Sequence, residues 1–248
     1  MKRLLLSLVL IGLCASVSFG EVDFDFTISD VYYNDTLNLN DQSVQVTGAG
    51  AQEIIANGAS YVEVIDTTPF EYNVGGIRRT ELYGTSSANI SGGEFDYFGT
   101  YDTSILNMTG GSVVDSGFKG SSQITMSGGY ISGLFLQENA TMNFSNGEIR
   151  WFGIYHDATA TFSGGSIEII SSRQDSDLTK HITFVADLDS IDLTGNLLTG
   201  NWLDGSGFSV TLLDQTGYDP VYSNINVIPE PATVLLFGLG AIGLHRRK

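Results

Sequence analysis

The chain has 248 residues, 28 acidic against 11 basic, for a formal charge of −17, with 30 glycines, 4 prolines and 1 cysteine. That balance excludes nucleic acid as a partner, which would need clustered Lys and Arg, and one cysteine excludes a disulfide framework or a multi-cysteine zinc site. An apolar content of 42% is ordinary for a folded protein, so the composition describes an acidic, glycine-rich, β-inclined chain able to bury a sizeable core.

Residues 1–20 read as a secretory signal peptide. Lys2 and Arg3 supply the positive start, Leu4 to Val17 the apolar stretch, and Ser18-Phe19-Gly20 a small-x-small cleavage site before Glu21. Cys14 lies inside this segment behind Leu13, where a lipoprotein signal would carry a small residue. Cleavage after Gly20 leaves an exported protein without cysteine, held by packing and hydrogen bonds alone.

Residues 21–50 are strand-rich and acidic (Val22-Asp23-Phe24-Asp25-Phe26) and are expected to form an N-terminal cap. Residues 51–179 carry a repeat. Ile90-Ser91-Gly92-Gly93, Met108-Thr109-Gly110-Gly111, Met126-Ser127-Gly128-Gly129, Phe144-Ser145-Asn146-Gly147 and Phe162-Ser163-Gly164-Gly165 begin 18 residues apart. Gly75-Gly76 fits an earlier unit with one residue missing, and Asn57-Gly58 lies another 18 back.

Each column tells what is inside. Ile90, Met108, Met126, Phe144 and Phe162 form one large apolar column, and two residues earlier stand Ala88, Leu106, Ile124, Met142 and Ala160. Apolar-polar-apolar is strand alternation, and the Gly-Gly or Asn-Gly pair supplies a positive-φ corner. Phe95, Val113, Ile131, Ile149 and Ile167 begin a second column. A third strand includes Leu82, Phe118, Leu136 and Ile154, interrupted by Thr100 and Ser172.

No unit buries its apolar face alone, but stacking turns each column into a continuous interior stripe. The expected fold is all-β: a right-handed parallel β-helix (β-solenoid) of 18-residue coils with two or three strands each. Seven to nine rungs at about 4.8 Å make a rod of roughly 35–45 Å. A left-handed hexapeptide helix is rejected because Asp96, Ser132, Arg150 and Glu168 stand where a six-residue period demands apolar residues. Such coils are similar to those of pectate-lyase-type proteins and secreted adhesins, though shorter.

Residues 180–227 are expected as a C-terminal β cap and spacer. Trp202 to Val210 reads as strand, Asp-Gly turn, strand, and Asp219-Pro220 to Asn226 as the link onward. The last segment, 228–248, runs Ile228-Pro229-Glu230-Pro231, an apolar stretch from Ala232 to Leu244, then His245-Arg246-Arg247-Lys248. A helix over 232–244 would be roughly 20 Å long against a hydrocarbon core of ~30 Å, so flanking residues must be drawn in, with the basic end cytoplasmic. Gly238-Leu239-Gly240-Ala241-Ile242-Gly243 matches a dinucleotide-binding fingerprint only by letters, since it lies in the apolar tail segment and the five residues after it leave no room for the acidic residue such a site needs some 20 positions on.

The order Pro229-Glu230-Pro231, short apolar helix, Arg246-Arg247-Lys248 resembles the PEP-CTERM signal of Gram-negative, exopolysaccharide-producing bacteria. The resemblance implies exosortase as a partner, processing near Pro229-Glu230-Pro231, and transient anchoring in the inner membrane with Arg246, Arg247 and Lys248 as the membrane stop. The segment 202–210 also resembles the closing segment of repeat-rich members of that family.

Chemistry-bearing motifs are sparse. His156, His181 and His245 form no metal or nucleophile pattern, and solvated surface is expected for each. No cofactor is expected; Asp187-x-Asp189-x-x-Asp192 is the one candidate for Ca²⁺, against charge for solubility. Tyr83, Tyr101 and Tyr155 share an outward column with Lys119, Gln137 and Arg173, near Tyr97 and Trp151, and are candidate platforms for stacking on sugar rings. Arg150 and Glu168 are expected to pair across rungs. Sequons occur at Asn34, Asn89, Asn107, Asn139 and Asn143, and a stacked Asn ladder explains the second, third and fifth equally well. The functional expectation is an exported cell-surface or matrix structural and interaction protein without enzymatic activity. The alternatives are a carbohydrate-binding adhesin or a β-helix polysaccharide lyase or hydrolase, for which only six Lys and Arg between residues 21 and 231 leave a catalytic base scarce.

Overall fold

The computed structural model describes residues 23–71, 75–174 and 180–229. The expected signal segment 1–20 and the expected helix over 232–244 lie outside them. The described chain is a β-solenoid of two facing sheets, one strand from each sheet per coil, and every neighbour within the stack is parallel.

One sheet is built from short strands: Phe26–Ile28, Ser43–Val46, Tyr61–Val64, Ser87–Ile90, Ile105–Met108, Gln123–Met126, Thr141–Phe144, Thr159–Phe162, Ile182–Val185 and Ile225–Ile228. In the middle of the stack their side chains alternate strictly, as in Gln123–Met126 and Thr141–Phe144, because a pleated strand with one wet face must. Met108 pairs with Met126, Met126 with Phe144 and Phe144 with Phe162, all buried, and Phe184 extends the column. Edge-to-face contacts link Phe162 to Phe144 at 5.8 Å and to Phe152 at 5.1 Å.

The second sheet carries longer strands, such as Ser112–Phe118 and Tyr130–Leu136. Strand alternation breaks once in each. Val113 is buried, Val114 and Asp115 both face solvent, and Ser116 and Phe118 are buried again. Two outward residues in a row bend the strand, so the second and third columns of the sequence lie on one bent strand. Between them runs a buried column that the reading of the repeat passed over: Ile54, Phe98, Leu134, Phe152 and Ile170. Of the polar interruptions, Thr100 donates to Ser122 at 3.0 Å and Ser172 accepts from Asn224 at 3.2 Å, whereas the buried Thr80 hydroxyl has no hydrogen-bond partner.

At the Gly-Gly corner the two glycines do different work. The second has positive φ (+88° at Gly129). The first is needed for close approach, because a Cβ on Gly128 would lie 2.2 Å from the carbonyl oxygen of Thr109 one rung below.

The stack departs from the expected boundaries at both ends. Residues 26–46, expected within a cap, are ordinary rungs: Phe26 pairs with Val44 and Val44 with Val62. Exposed Asp23, Asp25, Asp30 and Asp35 line this end, charges of the kind that discourage pairing at an open edge. Asn57-Gly58 is not an early copy of the Gly-Gly corner. Gly58 (φ +66°) belongs to the opposite turn, with Gly84, Asp102, Gly120, Glu138 and His156. The misreading arises because one coil is longer: Val62 pairs with Ala88, 26 positions on, and the extra residues lie before Ile77.

At the other end the antiparallel strands Asp192–Thr194, Leu197–Asn201 and Gly207–Leu213 close the long-strand sheet, the hairpin turn at Asp204-Gly205 being as expected. Trp202 ends the core column, lying parallel to Phe184 at 5.4 Å while its indole donates to the Gly165 carbonyl at 3.0 Å. The stretch expected as a spacer is instead folded: Val221–Asn224 is a 3₁₀ turn with Val221 and Asn224 buried, and Ile225–Ile228 is the last strand of the short-strand sheet. Burial of Val221 and Ile225 against the cap outweighs the entropy of a free linker.

Candidate functional site

The chain leaves the body at Pro229. Ile228 is still paired with Val185, its carbonyl accepting from the Ala186 amide at 3.1 Å, and exposed Pro229 comes immediately after. Glu230, Pro231, Arg246, Arg247 and Lys248 lie outside the described residues. Among the described residues no helix is long and apolar enough to cross a membrane.

The outward columns of the long-strand sheet gather the aromatic side chains. Leu82 and Thr100 are register partners, which sets Tyr83 and Tyr101 on consecutive rungs, and their rings stack at 4.6 Å and 6°. Beneath them Glu81, 5% exposed, accepts from the hydroxyls of Tyr83 and Tyr101, each at 3.1 Å, and from Arg79 at 2.6 Å. Tyr97 completes the group, its hydroxyl 3.3 Å from that of Tyr101 and its ring under Arg79 at 5.3 Å. Tyr155 is not part of this pair. Lys119 and Gln137 intervene in the column, and Tyr155 packs between Phe135 at 6.2 Å and the Arg173 guanidinium at 5.2 Å.

Glu81, Arg79 and Phe135 escaped the sequence reading, although a signal exists. Glu81, Gly99, Gly117, Phe135, Gly153 and Ser171 form one register column on the outer surface, mostly small because tyrosine rings cover it. A glutamate in a column of covered glycines marks a carboxylate with partners.

Burial, joined by the Glu81 charge, pushes the Tyr83 hydroxyl above its ordinary 10.0; burial, with the Tyr97 hydroxyl next, does the same for Tyr101. A folded-state value above the unfolded one gives stability that is complete below about pH 10 and is lost as pH rises beyond it. Phenolate absorbance should therefore show Tyr83 and Tyr101 ionising after the exposed tyrosines, in step with unfolding, and replacing both by Phe should shorten that lag, leaving the part due to Tyr61, which burial also pushes up.

The remaining candidates resolve individually. His156 is exposed in a left-handed turn position (φ +55°), but His181, expected in solvent, is 4% exposed with Nδ1 3.1 Å from the Ala158 carbonyl oxygen. Asp187 accepts from the Asp189 amide at 3.1 Å and Asp192 from the Thr194 hydroxyl at 3.0 Å. Among the described residues no three His, Cys, Asp or Glu gather as a metal site. The ladder joins Asn107 to Asn89 at 3.0 Å and Asn89 to the Tyr61 hydroxyl at 2.8 Å, but Thr125 separates it from Asn143. Arg150 and Glu168 do pair across rungs, at 3.6 Å and largely in solvent, a geometry worth under ~1 kcal/mol.

No curated protein and no solved structure matches this chain. A family model does: residues 227–248 match the PEP-CTERM protein-sorting motif, beginning inside the last strand of the body. That motif is a recognition signal for exosortase and implies export with sorting at a membrane. The chain thus carries a PEP-CTERM sorting motif, attached directly to a parallel β-solenoid.

Proposed function

We propose that this is a structural and interaction protein, without enzymatic activity, displayed at the cell surface or released into the extracellular matrix. In this reading residues 1–20 direct export and the segment 232–244 holds the protein in the inner membrane with Arg246, Arg247 and Lys248 inside. Exosortase then processes it near Pro229-Glu230-Pro231. One observation supports this most: the matched motif begins on a strand paired into the body, so processing there would free a rigid rod rather than a tethered fragment. Intact mass and location of the protein from its native cell provide the test. The expected species starts at Glu21 and lacks the basic tail; surface-exposed protein with an intact C-terminus contradicts it.

A second reading, carbohydrate binding or cleavage, is favoured by the aromatic side chains gathered on one sheet face. If Tyr83, Tyr101 and Tyr155 bind glycan, replacing all three by Ala abolishes retention on immobilised polysaccharide. Product release from acidic polysaccharides, assayed with and without Ca²⁺, separates an enzyme from a binder.

A further inference from the structure

The long-strand sheet carries a depression of about 400 Å³ that none of the tyrosines lines. Its floor is Gly133, register partner of Asp115 on one side and of Trp151 on the other. In a parallel stack, partners in one column stand about 4.8 Å apart, so a glycine between two long side chains leaves a gap one rung thick. Asp115 leans across this gap, its Oδ1 lying 3.1 Å from where a Cβ of Gly133 would be. Trp151 forms the opposite wall. It is 40% exposed and its orientation is fixed, since Nε1 donates to Ser171 Oγ on the next rung at 3.1 Å. Phe135 and Arg150 also line the depression.

The same face shows what fits such a gap. Tyr83 and Tyr101, on consecutive rungs, place two rings 4.6 Å apart and parallel. At Gly133 the partner ring for Trp151 is missing from the sequence. We propose that the gap at Gly133 is a binding subsite for one neutral pyranose ring of a glycan chain, stacked on Trp151 with its hydroxyls reaching Asp115 and Arg150. A pyranose has an apolar C–H face for the indole and a polar rim for the two charged groups, and it suits a groove open to water. A formal charge of −17 disfavours phosphorylated or polyuronate ligands at the same place. The subsite rests on the carbohydrate-binding reading but uses residues separate from the tyrosine column, so the two fail separately.

The test uses the full-length chain in a detergent without a sugar headgroup, with cellohexaose as probe. The two tryptophans divide the signal, because Trp202 is 1% exposed and collisional quenching therefore reads Trp151. Cellohexaose should protect the emission saturably. Gly133→Tyr, which supplies its own ring, should fold with an unchanged melting temperature and lose the protection. Trp151→Ala should weaken calorimetric affinity at least tenfold, and hexagalacturonate should bind at least tenfold more weakly than cellohexaose. The proposal is overturned by unsaturable or absent protection, by folded Gly133→Tyr binding normally, by undiminished affinity in Trp151→Ala, or by equal binding of the uronate.

Discussion

Replacing Phe162 by Ala should destabilise the body by about 3–5 kcal/mol, the cost of removing a buried aromatic ring and leaving a cavity. Phe162 is wholly buried and touches three rings on two sheets, Phe144, Phe152 and Phe184. Neighbouring rungs cannot collapse into the space, because each is fixed to the next by its own ladder, as Ser163 is to the Phe144 carbonyl at 2.9 Å. Urea unfolding followed by circular dichroism measures the loss. The stack also fixes how such losses combine. Phe144→Ala with Phe162→Ala, rings 5.8 Å apart, should be non-additive, whereas Met108→Ala with Phe184→Ala, separated by three rungs, should add. A fold in which Phe162 sat at the surface would lose under ~1 kcal/mol and show neither pattern.

Gly128→Val should cost about 3 kcal/mol, by overpacking against backbone rather than by loss of contacts. Its Cβ would meet the Thr109 carbonyl oxygen at 2.2 Å, and Thr109 cannot retreat while its amide is bonded to the Ile90 carbonyl at 2.8 Å. Gly92, Gly110 and Gly164 meet the same obstacle at 2.1–2.2 Å. The corner containing Asn146 explains how one side chain is admitted: there Gly147 opens to φ +108°, against +73° to +88° at the other four corners. Asn146→Gly should accordingly be near neutral in the same unfolding experiment, and a Gly128→Val chain as stable as the parent would show that the corner is not closely packed.

The repeat was legible because identical columns must perform identical tasks. Met108, Met126, Phe144 and Phe162 are apolar at one spacing, and the pairing keeps that spacing residue by residue. What escaped lay where two patterns overlap or a coil changes length. The bend at Val114-Asp115 breaks alternation, so the buried Phe98–Leu134–Phe152 column stands three residues, not two, after the column of Phe95, Ile131 and Ile149. The longer coil before Ile77 shifted the upstream register enough for Gly58 to be placed at the wrong corner. The aromatic surface was half legible. Tyr83 and Tyr101 stack as neighbours in a column should, but Glu81 holds them through hydrogen bonds that no local pattern encodes. His181 is buried by a fold that returns to cover it, again a long-range fact.

Cross-linking across the outward column tests the stacking register most directly. In a chain whose single native cysteine, Cys14, is replaced by Ser, cysteines at Asn107 and Thr125 occupy register partners on adjacent rungs. Their Cα atoms stand about 4.8 Å apart, within the span of a disulfide, whereas Asn107 and Asn143 stand about twice that distance apart, beyond it. Mild oxidation should close the first pair rapidly within the monomer and leave the second open. Closure of the Asn107–Asn143 pair, or failure of the Asn107–Thr125 pair in a folded chain, would contradict an 18-residue parallel stack.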